Sequence, residues 1–279
     1  MAAERQETPT SLKVRRPAAG AERSTKFGSR LARVSPFAIW FLSLALFVAF
    51  WQFASGFYPP ALLPSPMRTF HTFVDAIASG QLLKNARATF GRVVIGFIIG
   101  SAIGVALGLL AGCVRLARLA LDPYVNFFRF VPAIALLTPF VVWFGIGETS
   151  KILLIAFATF FIAMLNTIAG VDDVPINRLR AARMLGADPW QVFTLIVVPS
   201  ALPYVLTGMR IAMGISFASI IVAEMVSADL GLGFLLSYAQ VISATDLQFV
   251  AIACLGVMGW GTDKIFQILT RAALGRVSG

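Results

Sequence analysis

Residues 89–112 read TFGRVVIGFIIGSAIGVALGLLAG. From Val93 onward the run carries no charge for 20 residues, the length a helix needs to cross the hydrocarbon core of a bilayer. Its glycines, Gly96, Gly100, Gly104, Gly108 and Gly112, recur at every fourth position. On a helix that spacing lines them up as one ridge, the geometry that lets two backbones approach closely in lipid. The apolar residues are continuous rather than alternating, which excludes a β-barrel strand. The rest of the chain agrees with this stretch: 58% of its 279 residues are hydrophobic and only 13% are charged, with a mean hydropathy of +0.83. The sequence therefore predicts an all-α polytopic membrane protein.

Six apolar runs predict six transmembrane helices, over residues 37–57, 89–112, 121–144, 151–170, 202–227 and 247–269. The first is too long for the apolar region of a secretory signal peptide and is read as an uncleaved span. Residues 1–35, rich in Ala, Arg, Ser and Pro, read as a disordered basic tail before a membrane domain over 36–279. Between the first two spans, Ser65 caps a surface helix whose Met67, Phe70, Phe73, Val74 and Ile77 fall on one face. Pro132 and Pro139 predict kinks in the third span. Thr245 and Gln248 predict a capping box at the start of the sixth.

The net charge of +10 does not point to nucleic acid, because most of the excess precedes the first span or lies in loops on one side. The segments on that side hold 15 Lys and Arg against four on the other, which orients both termini and residues 172–199 toward the cytoplasm. Cys113 and Cys254 sit in or beside apolar runs and His71 is alone, so neither a disulfide framework nor a metal site is predicted.

The polar insert Leu179–Pro199, LRAARMLGADPWQVFTLIVVP, reads as two short helices joined by a hinge. Gly186 suits the left-handed position that closes the first helix. Asp188, Pro189 and Gln191 open the second with a capping box. Ala181-Ala182, Gly186, Ile196 and Pro199 keep the spacing of the EAA loop of binding-protein-dependent ABC importers, and the insert resembles that loop. Arg180 stands where that family has Glu, and Val198 where it has Leu.

The resemblance implies a type I importer permease whose cytoplasmic loop docks on an ATPase through Arg180, Ala181, Ala182, Leu185, Gly186, Ala187, Ile196 and Pro199. It implies a homodimer in the bacterial inner membrane, two ATPase subunits and an extracytoplasmic solute-binding protein. ATP and Mg would be held by the ATPases, with no cofactor on this chain. Leu63-Pro64-Ser65-Pro66, Trp143 to Glu148, and Glu224-Met225 followed by Gly231-Leu232-Gly233 are similar to the nitrate, sulfonate, taurine and bicarbonate branch. The GIGETSK turn at 145–151 and Ser243-Ala244-Thr245-Asp246 look most like taurine or alkanesulfonate permeases, with nitrate, bicarbonate and aromatic acids also open.

The chain contains neither G-x-x-x-x-G-K-[ST] nor Leu-Ser-Gly-Gly-Gln, and no Ser/His/Asp constellation. It reads as a transporter subunit rather than an enzyme, with ATP hydrolysed by a partner. An autonomous secondary transporter or channel is the alternative, although the two halves show no inverted repeat. Arg92, Arg129, Arg210, Glu224 and Lys264 fall within or beside spans, where a charge needs a partner, water or the interface. Arg210, Glu224, Ser216 and Arg92 are the candidates for lining the path of an anion.

Overall fold

A computed structural model describes residues 36–275, with side chains from 37 to 271. The basic tail and Arg276 lie outside the described residues. Two units are distinguished, residues 1–53 and residues 54–279. Helix α1 (Pro36–Ser55), most of which belongs to the first, carries apolar residues on every side, the pattern of a membrane span.

Among the described residues of the second unit every element is helical. They are α2 (Pro66–Ala78), α3 (Gln81–Cys113), α4 (Arg115–Phe128), a 3₁₀ turn (Ala133–Leu136), α5 (Leu137–Phe144), α6 (Glu148–Asp172), α7 (Ile176–Met184), α8 (Pro189–Val192), a π turn (Phe193–Val197), α9 (Val198–Ser227), α10 (Leu232–Val241) and α11 (Thr245–Gly275). Among the described residues five helical stretches, α1 included, are long and apolar enough to cross a membrane; α4 and the segment Ala133–Phe144, bent by 91° to each other, pass the same test together and make a sixth if the pair is one span.

α3 packs most extensively on α6, and α6 on α9. The glycine ridge explains the first contact. A Cβ on Gly96 would sit 2.6 Å from Ile155 Cβ, and one on Gly112 2.6 Å from Val171 Cβ. Between them Gly100, Gly104 and Gly108 face Thr159, Ala163 and Thr167, so both helices present a four-residue repeat to each other. Val93, Phe97, Leu154, Ile155, Phe217 and Ile220 fill the core where α3, α6 and α9 meet. A second cluster joins α10 and α11 through Leu232, Leu235, Val250 and Ala251.

Several boundaries differ from the sequence reading. α3 starts at Gln81, eight residues earlier than the predicted span, because Asn85 and Thr89 turn inward and are buried. The third span begins at Arg115 and is broken rather than kinked, with the chain turning through Arg129–Pro132. Pro139 breaks nothing, since it lies in the first turn of α5, where its missing N–H costs no internal bond. The fifth span begins at Pro189. Thr245 does not cap α11, because its hydroxyl donates to the Ala61 carbonyl; Asp246 instead accepts from Leu247 N–H and from Arg68 and Thr72 of α2. α2 begins as its sequence suggests, with Ser65 Oγ accepting from Arg68 N–H and Pro66 in the first turn.

Candidate functional site

The first site is the elbow between α6 and α9. α7 ends at Met184, and the closing bonds form a Schellman motif: Ala187 N–H donates to Ala182 O at 3.0 Å and Gly186 N–H to Arg183 O at 3.1 Å. Gly186 takes φ +82°, the left-handed conformation this motif requires. Asp188 Oδ1 accepts from Gln191 N–H at 2.8 Å while Asp188 N–H donates to Gln191 Oε1 at 3.0 Å. The predicted capping box is complete.

The helix it starts is not short. α8 runs through the π turn into α9, giving 39 continuous helical residues. Pro199 has no N–H to return to Leu195, and a π turn just ahead of it is a common way for a helix to absorb such a gap.

No residue of α7 is buried. Met184 and Leu185 are each 88% exposed, and Trp190 is 71% exposed. Arg178, Arg180 and Arg183 surround them, and none reaches a carboxylate within ion-pair distance among the described residues. A groove of about 740 Å³ runs between α7 and the start of α9, lined by Ala181, Ala182 and Leu185 on one wall and Ile196, Pro199 and Pro203 on the other. The elbow positions read from the sequence thus come together: Ala181, Ala182, Leu185, Ile196 and Pro199 line one groove, Arg180 lies on the exposed helix, and Gly186 and Ala187 make its closing turn. Just ahead of the elbow, Arg118 makes a two-bond pair with Asp172 at 2.7 and 2.8 Å, tying α4 to the end of α6.

The second site is a charge network where α3, α6, α9 and α10 converge. Glu224 is fully buried. Its carboxylate accepts from Thr89 Oγ1 at 2.8 Å, Arg92 Nη1 at 2.7 Å and Gly233 N–H at 3.0 Å. Arg92 also donates Nε and Nη2 to the two oxygens of Glu148, both at 2.6 Å, and Nη1 to Leu230 O. Asn85 Oδ1 accepts from Gly231 N–H. Gly231, at φ +131°, and Gly233 bring the backbone so close that a Cβ on either would collide with Glu224. The Gly231-Leu232-Gly233 turn is therefore a cover folded onto Glu224.

This arrangement bears on the four candidates for lining the path. Arg92 and Glu224 satisfy each other inside the subunit rather than facing open space. Ser216 is fully buried, with its hydroxyl donating to Ala212 O. Arg210 lies apart from them, half exposed and paired with Asp263 through Nε and Nη2. Lys264, the neighbour of Asp263, places its ammonium over the Trp260 ring at 6.0 Å. Sequence reasoning did not name Thr89, Asn85 or Glu148 as partners of this network. Glu148 stood in a quoted motif, but its contact with Arg92 spans 56 positions and has no local signature.

Residues 104–278 match the family described as binding-protein-dependent transport system inner membrane component. The putative aliphatic sulfonates transport permease protein SsuC of Escherichia coli is 36% identical over 243 residues, covering 86% of this chain and 91% of SsuC. The taurine transport system permease protein TauC of the same organism is 34% identical over 217 residues, covering 76% and 79%. Among solved structures, the MetNI methionine ABC transporter in inward-facing conformations aligns with a TM-score of 0.60 at 21% identity, over 70% of this chain and 95% of the matched one.

Proposed function

This chain belongs to the family of binding-protein-dependent transport system inner membrane components, and we propose that, as the permease subunit of an ABC importer, it carries an alkanesulfonate such as taurine. Nitrate, bicarbonate or an aromatic acid would suit the same chemistry less closely. The names of SsuC and TauC support the sulfonate class. Two copies would enclose the path, a solute-binding protein would deliver the solute from outside, and two ATPases holding ATP and Mg would supply the energy. The termini and the elbow would lie in the cytoplasm of a bacterial cell, in accord with the excess of Lys and Arg on that side.

The observation that carries the coupling role is α7, a helix with no buried residue whose apolar tip and unpaired arginines are built for contact with another chain. An ATPase that grips α7 through Arg180 and Leu185 would move a lever fixed at two points. One is the end of α6, held by Arg118. The other is the start of the continuous α8–α9 rod, reached through the groove of Ala181, Ala182, Ile196 and Pro199. Displacement of α7 would tilt both spans and shift the bundle between inward-open and outward-open states. A channel or secondary transporter would have no use for such a surface.

The test is reconstitution. The subunit purified with its ATPase and supplied with binding protein should accumulate labelled taurine in proteoliposomes only when ATP is present. Accumulation by this chain alone, without nucleotide, would overturn the reading.

A further inference from the structure

The bend of the broken span holds a cavity of about 600 Å³. Arg129 lies at the bend, with 14 helical residues of α4 before it and the turn into α5 after. Two other arginines that fall within or beside spans are answered, Arg92 by Glu148 and Glu224 and Arg210 by Asp263. Among the described residues Arg129 has no carboxylate within ion-pair distance, and its guanidinium carbon sits 4.7 Å over the ring of its neighbour Phe130. An unanswered cation in a membrane span is costly unless it meets water or a ligand. The same cavity is lined by Phe128, Phe157 and Phe161, whose rings cluster with centroids 5.1 to 6.2 Å apart, and by Ala158 and Ile215.

We propose that this cavity is an anion station on the translocation path, in which Arg129 takes the oxyanion head of the solute and the phenylalanine wall takes its apolar body. The proposal rests on the reading of the chain as an oxyanion permease and adds the place where the anion pauses. A guanidinium presents a fork of N–H donors from which two oxygens of an oxyanion can accept together. The cluster beside it offers no hydrogen bond to hold the solute, so binding stays weak enough for release.

The test reads the station without knowledge of the solute. In the assembled transporter, with Cys113 and Cys254 replaced by Ser, Ala158→Cys is labelled with methanethiosulfonates carrying either a sulfonate or a trimethylammonium group. Rates are normalised to a free thiol. The anionic reagent should be favoured, by roughly tenfold if a focused cationic field acts on it. Arg129→Gln should abolish that preference, and Arg129→Lys should keep most of it. No labelling with or without nucleotide, as for an arginine reaching lipid headgroups beside a closed wall, would overturn the proposal; so would a preference unchanged by Arg129→Gln. Taurine uptake by the unmodified transporter reads the substrate class separately. A transporter that ignores taurine yet keeps the Arg129-dependent preference loses the sulfonate assignment and retains the station.

Discussion

Glu224 is fully buried, and three donors from two elements converge on it, Thr89 and Arg92 of α3 and Gly233 N–H of α10. A buried ion pair is expensive to form and more expensive to break, because removing one partner strands the other. Among the described residues Arg92 is the only cation within ion-pair distance of Glu224, whereas Arg92 itself keeps a second carboxylate in Glu148, whose side chain is 58% exposed. Arg92 and Glu148 should therefore differ sharply. Arg92→Leu leaves Glu224 unpaired and should cost about 3–5 kcal/mol. Glu148→Gln removes a pair that water partly screens and should cost less than about 1 kcal/mol. Unfolding of the purified subunit in detergent ranks them, and equal losses would show that Glu224 draws little from Arg92.

At the scale of elements, the contact of α3 with α6 is set by what is missing from α3. Because Gly104 faces the Phe160 carbonyl and Ala163, Gly104→Leu has to push two helices apart and should lower stability by about 1–3 kcal/mol or more. Gly91 lies on the same helix with nothing within 4 Å of its Cβ position, so Gly91→Leu should leave the melting temperature unchanged. A similar fall in both variants would mean that the loss comes from added bulk anywhere on α3 and not from the ridge, since leucine is the better helix former. The ridge was legible because its period is written in consecutive residues, as were the Gly186 turn and the Asp188 box. Its partner was not, since Thr159 and Val171 look like any residues of an apolar run. Asn85 and Thr89 read as a polar lead-in to a span until the Gly231 turn, far along the chain, is seen to need them. Pro132 announced a bend without its size, and the pairing of Arg210 with Asp263 depends on two helices being adjacent, which no short window of sequence contains.

At the scale of the molecule, the family and the geometry meet in one joint. α7 is attached to the bundle through the end of α6 on one side and through Gly186 to the α8–α9 rod on the other, so under the proposed coupling a movement imposed on α7 would reach the α9 span through a left-handed residue. The position is open, with nothing within 4 Å of a Cβ on Gly186. Within this chain a substitution there acts through the backbone and not through a clash. Valine, β-branched and disfavoured at positive φ, should impose roughly 1–3 kcal/mol of local strain and loosen the Schellman turn. Asparagine tolerates the left-handed region and should preserve it. In the reconstituted transporter, Gly186→Val should lose ATP-driven uptake while basal hydrolysis by the ATPase persists, because the motor still turns over but the lever no longer transmits. Gly186→Asn should stay near the unmodified protein in both measurements. Normal uptake with normal binding-protein-stimulated hydrolysis in the valine variant would mean that force does not pass through this turn, and the coupling role would have to move to the apolar tip of Met184 and Leu185 alone.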